Sequence, residues 1–426
     1  AYIFNVTSGA LVHTLDNPNA YGTSASDFFS NSVAISGDRA IVSASSEDDA
    51  GGSNSGKAYI FNVTTGALLH TLDNPTAYGT SAGDIFGVSV AISGNAAIVG
   101  AYQEDDAGGT TSGKAYIFNV TSGALVHTLD NPNAYGTSFA DYFGKSVAIS
   151  GNSAIVGAVG EDDAGSSSSG KAYIFNVSTG ALVHTLDNPN AYGTIFNDRF
   201  GDPVAISGNS AIVGAYQEDD ADGINSGKAY IFNVTSGALV HTLDNPNPYG
   251  TSQYDNFGFS VAISGDIVIV GAYNEDEADA PINPGKAYIF NVTSGALVHT
   301  LDNPTAYSTS QYDSFGYSVA ISGNSAIVGT YGEDDAGGSF SGKAYIYDVT
   351  SGVLVSTLDN PNAYGTSVGD LFGFTLAISG NSAIIGAYAE DDAGGSASGK
   401  AYIYKIENTT ETNSINVFGN MHTPGN

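Results

Sequence analysis

Seven acidic triplets stand out as the residues able to do chemistry: Glu47-Asp48-Asp49, Glu104-Asp105-Asp106, Glu161-Asp162-Asp163, Glu218-Asp219-Asp220, Glu275-Asp276-Glu277, Glu333-Asp334-Asp335 and Glu390-Asp391-Asp392. Clustered carboxylates with no thiolate nearby form an all-oxygen ligand set, which suits Ca2+ or another hard cation if two neighbouring loops converge. Two other readings fit the same residues. One is a solvated acidic surface that relies on screening by salt. The other is structural, because a lysine follows each triplet at Lys57, Lys114, Lys171, Lys228, Lys286, Lys343 and Lys400 and can pair back across the loop. An exposed pair of that kind contributes about 0–1 kcal/mol.

Two more aspartate sets recur. Asp27, Asp84, Asp141, Asp198, Asp255, Asp313 and Asp370 open a D-x-F motif, and Asp16, Asp73, Asp130, Asp187, Asp244, Asp302 and Asp359 sit in LDNP. Both suit capping of loop backbone groups. The D-x-F flanks vary between copies. Phe139, Phe196, Tyr254 or Tyr312 precede the aspartate in some and Ala25, Ala82 or Val368 in others, and the next position runs Phe28, Ile85, Tyr142, Arg199, Asn256, Ser314 and Leu371. A binding surface varies in this way, and so do loop tips that tolerate change.

Six of the seven histidines share one place in the repeat, at His13, His70, His127, His184, His241 and His299, with Ser356 in the remaining copy. Half-buried packing is the expectation there. No nucleophile, base and orienting group stands apart from the repeat background, so the chain is not expected to be an enzyme. Asn-x-Thr/Ser sequons occur at Asn5, Asn62, Asn119, Asn176, Asn233, Asn291 and Asn408, with Asp348 breaking the series. They fit either glycosylation or the turn chemistry of asparagine.

All these residues recur because the chain itself does. GKAYIFNVTTGALLHTL at residues 56–72 returns with its AY at Ala115, Ala172, Ala229, Ala287, Ala344 and Ala401, every 57 or 58 residues, after a first copy at Ala1. A fixed period of that length overrides the domain count that 426 residues would suggest. Within a unit, SVAIS (residues 32–36), AIVSA (40–44), AYIFNV (58–63) and ALLHTL (67–72) each have the length and composition of a strand. Ser-Gly-Asn or Ser-Gly-Asp joins the first two, and Asn-Val-Thr-Ser-Gly or a variant joins the last two, both hairpin signals. Seven units of four antiparallel strands predict an all-β, seven-bladed β-propeller over residues 1–406, with residues 407–426 as a tail or docking segment. A β-solenoid is the alternative. The apolar runs do not alternate, as expected of blades covered on both faces.

Asp141-Tyr142-Phe143-Gly144, then Ser146 to Gly151 (SVAISG), then Ala154 to Ala158 (AIVGA), then Gly170 to Phe175 (GKAYIF) resemble an FG-GAP repeat. This is the blade unit of integrin α-chain propellers and of secreted bacterial and archaeal repeat proteins. The resemblance covers all seven units and implies a propeller used in adhesion or surface assembly. Family members that bind calcium carry an Asp-rich loop between the first two strands of a blade. Here that link is only Ser-Gly-Asn, so the family's metal site does not carry over.

The propeller sorts the loops. Triplets, D-x-F and LDNP fall on a long-loop face, and the sequons fall on the opposite, short-hairpin face. The AYIF strand occurs eight times against seven for the others. The N-terminal ALVHTL strand is expected to complete the last blade, which leaves one AYIF strand to spare. It is either a fifth edge strand or a strand that pairs with another subunit, making Ala1, Tyr2, Ile3, Phe4 and Ala401, Tyr402, Ile403, Tyr404 the assembly candidates.

With 43 acidic against 11 basic residues the formal charge is -32, which opposes nucleic acid and anionic lipid. There is no cysteine and no apolar run of membrane-spanning length. The chain opens at Ala1 inside a repeat and has its single methionine at Met421, as in a processed or trimmed chain. The expectation is an extracellular or cell-surface structural protein that assembles with copies of itself into a filament or layer. The alternative is a calcium-dependent adhesin that binds a glycan or protein receptor on its acidic long-loop face.

Overall fold

The computed structural model describes residues 2–5, 10–18, 26–49, 52–75, 82–105, 109–132, 140–162, 168–189, 197–219, 223–246, 254–276, 284–304, 312–334, 339–361, 368–391 and 399–405. Every regular element among them is a strand, and the strands form seven sheets arranged as a propeller. Blade 1 shows the unit: Phe29–Ser36, Arg39–Ala44, Lys57–Asn62 and Leu68–Asp73, each antiparallel to the one before. Blades 2 to 6 repeat it over residues 90–130, 143–187, 204–244, 260–302 and 318–359.

Blade 7 is assembled from both ends of the described chain. Phe372–Ser379, Ser382–Ala387 and Lys400–Lys405 supply three strands, and Ala10–Leu15 joins the third through Thr14↔Tyr402 and Leu15↔Ala401. Tyr2–Asn5 then folds back antiparallel on Ala10–Leu15 and also runs parallel to Lys400–Lys405 at Tyr2↔Tyr402 and Ile3↔Ile403. The surplus AYIF strand is therefore a fifth strand of its own blade. Of the assembly candidates, Tyr2, Ile3, Phe4 and Ala401 to Tyr404 are paired within this sheet, whereas Ala1 lies outside the described residues, as does the 407–426 tail.

Packing runs between blades. Ile41, Ala58, Ile60 and Leu72 of blade 1 form one buried cluster with Phe86, Val90, Val99, Tyr116 and Phe118, which enter from blade 2. Six further clusters repeat this, and the one at the closure joins Leu15, Ile384 and Ala401 to Phe29, Val33 and Tyr59. A blade buried on both faces has no wet side, which is why its inner strands are unbroken apolar runs. Backbones also meet directly. A Cβ built on Gly100 would lie 1.9 Å from the Gly144 carbonyl oxygen of the next blade, so nothing larger than glycine fits there. Around the axis, the glycine after each SVAIS-type strand donates its N–H to a serine Oγ of the preceding blade, from Gly94 to Ser36 at 3.2 Å through to Gly37 on Ser379 at 3.4 Å.

Candidate functional site

The triplets do not stand together on the rim. Glu47, Glu104, Glu161, Glu218, Glu275, Glu333 and Glu390 are fully buried. Each accepts a hydrogen bond from the third-strand tyrosine of its own blade, as Tyr59 to Glu47, Tyr116 to Glu104 and Tyr173 to Glu161 at 2.5 Å and likewise to Tyr402 on Glu390. The second member secures its own loop. Asp48 accepts from the Asn54 N–H at 2.9 Å, and Asp105, Asp162, Asp219 and Asp334 do the same with the residue six positions on. Of the third members only Asp49 is described, and it accepts from the Gly52 N–H at 3.1 Å; Asp106, Asp163, Asp220, Glu277, Asp335 and Asp392 lie outside the described residues.

Among the described residues no group of three or more His, Cys, Asp or Glu could hold a metal ion, and six of the seven third triplet members lie outside those residues. Burial raises Glu104 and Glu161 to about 7 and Glu218 and Glu275 to about 8, with the tyrosine hydrogen bond and the nearby lysine acting in the opposite direction. The lysines mostly choose a different partner from the triplet. Lys57, Lys114, Lys171, Lys228 and Lys286 pair with the LDNP aspartates Asp73, Asp130, Asp187, Asp244 and Asp302 on the fourth strand. Lys343 and Lys400 do reach the triplet glutamates, at 3.1 Å from Glu333 and 3.0 Å from Glu390.

The D-x-F segment is a joint between blades. The LDNP asparagine closes its loop by donating to the D-x-F aspartate, as Asn74 to Asp84 at 2.8 Å, and all seven copies share this bond. Backbone N–H groups then dock on the preceding blade: Gly83 on Ser53, Ile85 on Asn54 and Phe86 on Ser55. The residue between Asp and Phe is left-handed in every copy, including β-branched Ile85 at φ 55° and Arg199 at φ 63°. Such residues cost about 1–2 kcal/mol and persist only where surrounding bonds over-determine them, as the docking does here.

The histidines are clasps. His70 Nε2 lies 3.0 Å from the Thr121 carbonyl oxygen in the hairpin turn of the next blade, and His13, His127, His184, His241 and His299 make the same contact. Ser356 holds this place on the fourth strand of blade 6. The sequon asparagines act in their turns: Asn62 Oδ1 accepts from the N–H groups of Thr64 at 3.0 Å and Thr65 at 2.8 Å. Asp348 does the equivalent with Ser351 at 2.8 Å, which explains why the sequon can lapse without loss of the turn. The side chain of Asn5 and all of Asn408 lie outside the described residues.

Two of the positions that vary between blades lie where the long-loop face meets the axis. The first strands are innermost, so the residue after each FG pair stands at the mouth of the central channel: Asn31, Val88, Lys145, Asp202, Phe259, Tyr317 and Phe374. The residue after each VGA-type run leaves the second strand beside it: Ser45, Tyr102, Val159, Tyr216, Tyr273, Tyr331 and Tyr388. Half of this mouth is aromatic. Tyr216 meets Phe259 at 5.1 Å, Phe259 meets Tyr273 at 4.4 Å and Tyr317 at 4.9 Å, Tyr317 meets Tyr331 at 4.4 Å and Phe374 at 4.9 Å, Phe374 meets Tyr388 at 4.3 Å, and Tyr388 meets Phe28 at 5.6 Å. Eight half-buried rings thus form one arc from blade 4 to blade 1.

The remaining positions are mixed: Asn31, Ser45, Lys145 and Asp202 are polar, Val88 and Val159 aliphatic, and Tyr102 aromatic. Lys145 Nζ lies 4.6 Å over the Tyr102 ring, and Arg199 Nε donates to Gln217 Oε1 at 3.3 Å. Both cations act on Asp202, whose carboxyl is nonetheless raised by burial. Tyr317, two blades away, also feels Asp202, as well as Tyr273, Tyr331 and Tyr388. Motifs do not reveal these positions. Variation between the copies marks them.

The family model of the FG-GAP repeat matches residues 19–61, 76–118, 134–175, 191–232, 248–290, 305–347 and 363–404. No curated protein matches the chain. FG-GAP repeats are typical of extracellular proteins, and among the described residues no helix is long and apolar enough to cross a membrane. With one match for each of the seven blades, together covering more than half of its length, the chain belongs to the FG-GAP repeat family.

Proposed function

We propose that the chain is an extracellular binding module that holds a carbohydrate at the mouth of its central channel, on the long-loop face. The eight-ring arc carries this reading. A packing element would repeat in every blade as the buried D-x-F phenylalanines do, whereas the arc runs from blade 4 through blade 7 to blade 1 and is interrupted in blades 2 and 3 by Val88, Lys145 and Val159. Half-buried aromatic rings with tyrosine hydroxyls supply the apolar walls and the few polar groups that a sugar ring needs. The test is a panel of immobilised glycans probed with the intact chain and with the Tyr317→Ala, Phe374→Ala double variant. Binding by the wild type that falls about tenfold or more in a variant with an unchanged melting profile is the expected result. Equal binding by the variant, or no binding by the wild type to any glycan, rejects the reading.

Contact between copies is the second reading, and a different feature favours it from the surplus strand. Fourth strands expose apolar pairs beside the short hairpins, including Leu125 and Val126, Leu182 and Val183, Leu239 and Val240 at 43–46% exposure. Such a recurring apolar rim is what an association surface presents. Sedimentation of the wild type against Leu125→Ser, Val126→Ser would separate the cases, since a monomer in both removes this reading.

A further inference from the structure

At the channel mouth the chain lays one ammonium of its own on one ring. Lys145 Nζ stands 4.6 Å from the centre of the Tyr102 ring, inside the roughly 6 Å over which the negative face of an aromatic ring attracts a cation. Lys145 follows the FG pair of blade 3, and Tyr102 follows the second strand of blade 2. In later blades the same two places hold rings: Phe259 lies 5.1 Å from Tyr216, Tyr317 5.5 Å from Tyr273 and Phe374 5.8 Å from Tyr331. These rings have little positive charge of their own. From residue 254 to 405 the only Lys or Arg residues are Lys286, Lys343 and Lys400, each buried against a carboxylate, and Lys405 at the hairpin-face end of its strand. Arg199, at the blade 4 end of the arc, donates to Gln217. Among the anions, Asp202 stands at the mouth, and Asp219, Asp276 and Asp391 of the triplets are exposed on the same long-loop face.

From the contact of Lys145 with Tyr102 and the rings that repeat its two places, we infer that the ligand is a cationic amino sugar, whose sugar ring lies on the aromatic arc and whose ammonium meets the tyrosine and phenylalanine faces as Lys145 meets Tyr102. The inference rests on the carbohydrate reading above and adds the sign of the charge. Sugar ring and ammonium act together. A neutral sugar gains only the apolar contact with the arc, and a bare cation gains only the charge, so a ligand that carries both is the one selected. The net charge of -32 draws such a ligand toward the molecule and turns polyanions away.

The test uses the intact chain with two probes of equal length, a β-1,4-linked glucosamine trimer and its neutral N-acetylated counterpart, titrated at a mildly acidic pH at which the amines are protonated, with spermidine as a cation that has no sugar ring. The expected result is a preference of about fivefold or more for the glucosamine trimer over both, reduced as salt rises. Tyr317→Leu with Phe374→Leu keeps apolar volume but removes two rings, and at an unchanged melting profile it should erase the preference. Lys145→Met should strengthen binding of the glucosamine trimer, since it removes a like charge and leaves the Tyr102 ring to the ligand. Equal affinity for the two trimers, or tighter binding of the acetylated one, overturns the inference while the carbohydrate reading stands. Spermidine bound as tightly as the glucosamine trimer, a preference that survives in the double leucine variant, or weaker binding by Lys145→Met also overturns it. So does the absence of binding by either trimer, whereas the carbohydrate reading is decided by the wider glycan panel.

Discussion

Glu104 gives the sharpest test of the electrostatics. It is fully buried, its Oε2 accepts from Tyr116 at 2.5 Å, and its Oε1 has no hydrogen-bond partner among the described residues. Burial raises it from 4.5 to about 7. A carboxyl whose folded value is raised binds protons more tightly in the native state, so its ionisation destabilises the fold. The penalty is absent below the ordinary value of 4.5, grows as pH rises through the interval to about 7, and is complete above it. At 1.36 kcal/mol per pH unit that interval amounts to about 3 kcal/mol. Glu104→Gln removes the titration while keeping an acceptor for Tyr116. In a chain of this length 1 kcal/mol moves Tm by about 1 °C. The variant should therefore melt about 3 °C above the wild type at pH 9, relative to their difference at pH 5. Circular dichroism melts in constant 0.15 M salt measure this, and because surface repulsion is common to both proteins it cancels in the comparison. The same difference at both pH values would refute the buried-carboxylate argument.

Three other outcomes follow from the packing. His70→Ala should cost about 1 kcal/mol and speed hydrogen exchange at the blade 1–2 boundary. Asn62→Asp should keep the turn, as Asp348 already does, and stay within about 0.5 kcal/mol of the wild type, while Asn62→Ala should lose about 1 kcal/mol; chemical denaturation reads both. Gly100→Ala should cost more than about 3 kcal/mol or abolish soluble expression, since its Cβ would sit 1.9 Å from the Gly144 carbonyl oxygen.

The period, the strand lengths and the hairpin residues carry the fold, and the excess of AYIF over its partner strands announces closure by the N-terminal region. The triplets are harder to read because composition does not separate a buried carboxylate from an exposed one. The clue lies in residue type: the first member is Glu in every copy, as needed to reach the tyrosine, while the members after it are almost always Asp. The role of the histidines is not legible because the carbonyl that His70 meets belongs to the next repeat, 51 residues along the chain. The channel mouth is hidden because its residues are far apart in the chain and differ from copy to copy, so no motif contains them. Only the placement of the first strands around the axis brings Tyr317 and Phe374 into contact.

Closure of the ring has a consequence for how the molecule is made. Ser30 Oγ donates to the Lys400 carbonyl oxygen at 2.5 Å, and the two residues are 370 apart in the chain. At a synthesis rate of 5–20 residues per second, roughly 20–75 s separate their emergence. Blades 1 to 6 can pair strand by strand as each unit appears, but Ala10–Leu15 has no blade to join until Lys400–Lys405 arrives. The hairpin with Tyr2–Asn5, by contrast, is formed from neighbours in the chain and needs no distant strand.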